Sequence, residues 1–146
     1  MRNIRTTALA VLAAVGLMTA GVAEARDKAE GWKNWSDRAE AIETALHQPD
    51  QVSIKTACSG VTGTIIGQGF QFPRWAMGLM PTCQVSKDLW LYKGSRRGVK
   101  RWCSDLKDAG NQLGKAEPVA EAPNAAPIAL RLSATLLASY DEVCKK

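Results

Sequence analysis

VKRWCSDLKDAGNQL, residues 99–113, is the most regular stretch of the chain. At 100° per residue, Val99, Trp102, Cys103, Leu106, Ala109, Gly110 and Leu113 fall on one stripe, with Lys100, Arg101, Ser104, Lys107, Asp108 and Asn111 opposite. The stretch reads as a helix with Cys103 turned to the core. The same period recurs upstream. Trp32, Trp35, Ala39, Ile42 and Leu46 share a stripe, while Lys33, Asp37, Glu40, Thr44 and His47 lie off it, so a helix is expected over 28–47. Asp27 with Glu30 makes a capping box for its start, and Pro49 stops it. A third helix is expected from about Ile128 to Cys144, with Leu130, Leu132, Leu136, Leu137, Tyr140, Val143 and Cys144 on a wide apolar face.

Between the second and third of these helices, residues 115–127 carry Pro118, Pro123 and Pro127 among Ala and Glu without an apolar period, which reads as an Ala/Pro-rich loop. The middle is ambiguous. Residues 52–72 contain β-branched runs cut by Gly60, Gly63, Gly67 and Gly69, and fit two short strands or a small-residue helix. Pro81 is expected to close the segment before Cys83, and Asp88 to Lys93 is a short strand or the start of a helix. The fold class expected is therefore mainly α, a small disulfide-stapled domain of three or more helices, with room for a short β element between residues 51 and 92.

With 146 residues, 46% of them hydrophobic and 23% charged, the chain has material for one core. Its first 25 residues read as an address. Arg2 and Arg5 precede 18 uncharged residues, Thr6 to Ala23, and Ala23-Glu24-Ala25 is a small-x-small cleavage pattern, so a secretory signal peptide is expected to leave one exported domain, 26–146, periplasmic or secreted. Export governs the cysteines. Cys58, Cys83, Cys103 and Cys144 are spaced by 25, 20 and 41 residues with no Cys-x-x-Cys pair and no nearby His, so two structural disulfides are expected rather than a metal or redox centre. Three pairings are open.

Nothing in the chain spells catalysis. The glycines match no nucleotide-binding motif, and Gly-x-Ser-x-Gly is absent. Glu40 with Glu43 and Asp105 with Asp108 sit on polar faces, His47 stands alone, and Asn34-Trp35-Ser36 is a glycosylation sequon whose Trp belongs to the buried stripe. No cofactor is expected.

Charge is the remaining signal. Residues 26–146 hold 17 basic and 13 acidic side chains, while 87–101 alone hold Lys87, Lys93, Arg96, Arg97, Lys100 and Arg101 against Asp88. Trp90, Tyr92 and Trp102 are interleaved with them, the composition of a surface that meets an anionic partner. The plainer alternative makes Trp90 and Trp102 core and the basic residues a solvated turn. The function expected is a non-catalytic exported protein acting through protein–protein interaction, such as an inhibitor, an immunity-type protein or an envelope or secretion accessory subunit. Second comes a binder of anionic glycan or lipid through Lys87, Trp90, Tyr92, Lys93, Arg96, Arg97, Lys100 and Arg101. A small cell-wall hydrolase using Glu40 or Glu43 is a minor alternative, and nucleic acid is disfavoured by export.

Overall fold

A computed structural model describes residues 27–67, 71–92 and 99–145. The expected signal peptide, 1–25, lies outside them. Among the described residues the regular structure is helical throughout, with no strand.

Helix α1 covers 27–47 and buries the stripe read from the sequence: Trp32, Trp35, Ala39, Ile42 and Leu46 are all inside. Asp27 is already helical, so it does not cap α1 as expected. Helix α2, Gln51–Cys58, starts at Asp50, whose side chain accepts the Ser53 amide at 2.8 Å and the Ser53 hydroxyl at 2.6 Å. Those bonds, the hydroxyl's first, hold the Asp50 carboxyl below the usual carboxylate range. Their contribution is complete above the ordinary carboxylate pKa and is lost as pH falls through the lowered one. Gly60, at φ 78°, supplies the left-handed turn into α3, Val61–Ile66.

A 3-10 turn, Ala76–Gly78, runs directly into α4, Leu79–Tyr92. Pro81 therefore does not close a segment before Cys83. It occupies the first turn of α4, where its missing N–H leaves no intrahelical bond unmade. Nor do the described residues of 51–92 hold a β element: Gln51–Cys58, Val61–Ile66 and Leu79–Tyr92 are α2, α3 and α4, and Asp88 to Tyr92 is the end of α4.

Helices α5, Lys100–Leu113, and α6, Ala125–Cys144, form an antiparallel pair. They approach closely at Gly110, where an added Cβ would stand 2.9 Å from Leu137 Cδ2, and the Ser133 hydroxyl donates to the Gly110 carbonyl at 2.6 Å. Helix α6 begins at Ala125, three residues before the expected Ile128, because Pro127 is tolerated in a first turn. Its buried face is set by Ala125, Ile128, Ala129, Leu132, Ser133 and Leu136. Leu130, expected on that face, is off its far flank and 46% exposed.

The core centres on rings. Trp75 stacks on Trp32 at 5.6 Å and meets Trp35 edge-on at 5.5 Å, while Phe72 meets Trp32 edge-on at 5.0 Å. The Trp35 indole N–H donates to the Ala76 carbonyl at 2.9 Å, tying α1 to the turn before α4. Two disulfides complete the frame: Cys58–Cys83 joins the last residue of α2 to α4, and Cys103–Cys144 joins the first turns of α5 to the end of α6.

One buried group is left over. The Ser86 hydroxyl, on the inner face of α4, has no hydrogen-bond partner. Desolvating such a group costs about 1–3 kcal/mol, so Ser86→Ala should raise stability by about 1 kcal/mol. Equilibrium urea unfolding measures this, and a lowered midpoint would show that the hydroxyl is satisfied.

Candidate functional site

Basic and aromatic residues meet where α4 ends and α5 begins. Two contacts bring these ends together: the Tyr92 and Trp102 rings lie 4.9 Å apart, and the Trp102 indole N–H donates to the Val85 carbonyl at 2.9 Å. Trp102 is therefore core, 7% exposed, and Tyr92, half-buried against it, belongs to the same packing. Neither ring is available for stacking on a partner. Trp90 differs. It is 37% exposed and Leu91 beside it 51%, whereas Leu89 points inward. The alternative that put Trp90 in the core together with Trp102 holds for Trp102 only.

Lys87, Lys100 and Arg101 are all exposed, and none is ion-paired to a described carboxylate. Lys87 precedes Trp90 and Leu91 by three and four residues, so a cation and an apolar pair share one flank of α4. Lys100 and Arg101 occupy the first turn of α5 on its outer side, opposite the buried Trp102, Leu106 and Leu113. These residues share one end of the fold. Lys93, Arg96 and Arg97, also expected in the site, lie outside the described residues.

The catalytic candidates are dispersed. Glu43 receives Arg131 from α6, with Nε at 3.3 Å from Oε1, while Glu40 faces solvent. The two carboxylates thus have different surroundings. His47 is exposed at the end of α1, and Asp105 and Asp108 are exposed on α5. Trp35 of the Asn34 sequon is fully buried within α1. Among the described residues no three His, Cys, Asp or Glu side chains come together as metal ligands.

Concavities were not foreseen either, and one of about 320 Å³, between α1 and the α5–α6 connection, is lined by Asp37, Glu40 and Glu121. A cleft of about 750 Å³ lies between the segment before α4 and the end of α5, lined by Arg74, Trp75, Asp108, Asn111, Lys115 and Glu117. Gln112 closes its floor by donating to the Arg74 carbonyl at 2.8 Å. Asp108, Asn111 and Lys115 lie three to four residues apart, a signal visible in the sequence but indistinguishable there from an ordinary solvated face. A shallower groove of about 470 Å³ between α1 and α2 is lined by small side chains and by Val52.

All four cysteines are paired, and no described helix is long and apolar enough to cross a membrane. Two disulfides fit an oxidising, non-cytoplasmic environment. Comparison with protein-family models, with curated proteins and with solved structures finds no match to this chain.

Proposed function

We propose that the chain is an exported, non-catalytic binding domain that holds an anionic partner at the joined ends of α4 and α5. Of the two expectations drawn from the sequence, this takes up the second, a binder of an anionic partner, in place of a protein–protein role as an inhibitor, immunity-type protein or accessory subunit. The observation that carries the reading is the trio Lys87, Lys100 and Arg101, exposed and in no ion pair with a described carboxylate, beside an exposed Trp90. Elsewhere, Lys28, Lys33, Arg131 and Lys145 are each neutralised by a carboxylate of the chain itself, so only part of the positive charge is open to a partner. Arg and Trp are also the residues that most often carry binding energy at interfaces.

Retention on a heparin column tests this directly. Reversing Lys87, Lys100 and Arg101 to Glu should weaken low-salt binding by about tenfold or more, since each removes a screened charge contact. A control that reverses Lys55, Lys107 and Lys115 changes net charge equally but leaves the site intact. Equal losses in the two variants would mean that the whole surface binds non-specifically and that no site exists.

A further inference from the structure

Resting on that reading, we propose that the anionic partner is a phospholipid surface, which the domain meets with Trp90 and Leu91 at the interface and with Lys87, Lys100 and Arg101 on the head groups. The charge complementarity alone would suit any polyanion. What selects a bilayer is the apolar pair, because two adjacent large hydrophobic side chains gain nothing from a soluble anionic polymer, whereas an acyl boundary accepts both. Tryptophan is the ring that favours the membrane–water interface, its body apolar and its N–H kept wet. The lysine stem of Lys87, one turn behind, can lie along the same flank while its ammonium reaches the phosphates.

Other exposed apolar residues lack this setting: Met77 follows the unpaired Arg74 by three residues but has no exposed large apolar residue beside it. Leu130 stands beside Arg131, but Glu43 already holds that guanidinium. Ile66 belongs to a helix, Val61–Ile66, with no charged residue. Val52 has one cation on its helix, Lys55, and the capping carboxylate of Asp50 at the head of it. Only at the α4/α5 end do an apolar pair and uncompensated cations coincide among the described residues. Three cations near an anionic leaflet and one shallow apolar pair make attachment reversible, far weaker than a spanning helix.

The chain from Arg26 onward contains every core residue named above and both disulfides, and it is the form to test, free of the apolar leader. It is mixed with phosphatidylcholine vesicles or with vesicles enriched in phosphatidylglycerol and sedimented at low and high salt. Four of the five tryptophans are buried, so acrylamide quenching reports Trp90. Binding is expected only to the phosphatidylglycerol vesicles at low salt, with Trp90 shielded from acrylamide. The double variant Trp90→Ser, Leu91→Ser should bind these vesicles about tenfold or more weakly. Lys100→Ser with Arg101→Ser should lose about thirtyfold on vesicles, at the affinity a lysine or arginine contributes near an anionic surface. Because all these side chains are exposed, circular dichroism should show each variant folded. Vesicle binding that survives loss of Trp90 and Leu91 overturns the lipid assignment. So does heparin or polyglutamate binding without vesicle binding, although the anionic-partner reading then stands. Binding to none of these ligands overturns both.

Discussion

Trp35→Ala should remove about 3–5 kcal/mol of stability, a large share of what a domain of this size commonly has. The side chain is 0% exposed, and its ring contacts both Trp32, at 5.8 Å, and Trp75, at 5.5 Å. Truncation therefore opens a cavity and breaks two edge-on ring contacts, each worth about 0.5–1.5 kcal/mol beyond burial. It also deletes the donor to the Ala76 carbonyl, though that oxygen keeps the Leu79 amide as a partner, so it is not orphaned. Trp35→Phe restores most of the volume without the N–H and should cost about half as much. Urea unfolding of the oxidised proteins separates these cases. A loss below about 2 kcal/mol for alanine would mean that the cluster collapses around the gap rather than holding α1 to α4.

Breaking Cys103–Cys144 should cost about 4 kcal/mol, and breaking Cys58–Cys83 about 3.5 kcal/mol, by the loop-closure entropy of chains cross-linked over 41 and 25 residues. The longer loop encloses the α5–α6 connection with Pro118 and Pro123, and its bridge closes the open end of that helix pair. Without it, α6 is held by its buried face, by Ser133 on Gly110 and by the Arg131–Glu43 ion pair to α1. The shorter bridge is buried at both ends, so paired Cys→Ala changes there add a packing loss that the half-buried Cys103 and Cys144 do not. Thermal unfolding of Cys103→Ala/Cys144→Ala against the parent measures the first value. A loss under 1 kcal/mol would place the stability of the α5–α6 pair in its packing rather than in the cross-link.

The candidate site was half legible. Its cations stand out in the sequence because a run of like charge needs no tertiary knowledge to recognise. Its aromatic side was legible in part: the stripe put Trp102 inside and left Trp90 to the site, but Tyr92, read together with Trp90, packs against Trp102. Trp102 went inside because its helix stripe meets Val85 and Tyr92, and Trp90 stayed partly outside because the neighbouring residue, Leu89, takes the inward position. The polar cleft at Arg74 and Glu117 was illegible because its two walls are far apart in the chain.

Helices α1 and α5 could be read from the sequence alone. Large apolar residues spaced three and four apart bury well in only one conformation, and the packing found here follows that spacing residue by residue. The presence of two disulfides was equally readable, from four cysteines and an exported context. Tertiary structure alone decided which cysteines pair, because only the fold brings Cα atoms to 5.6 and 5.9 Å. It also decided that the regular structure described between residues 51 and 92 is helical. Short glycine-interrupted segments such as α2 and α3 carry too little propensity to choose for themselves, so an Asp50 cap, the left-handed Gly60 and the bridge to α4 choose for them.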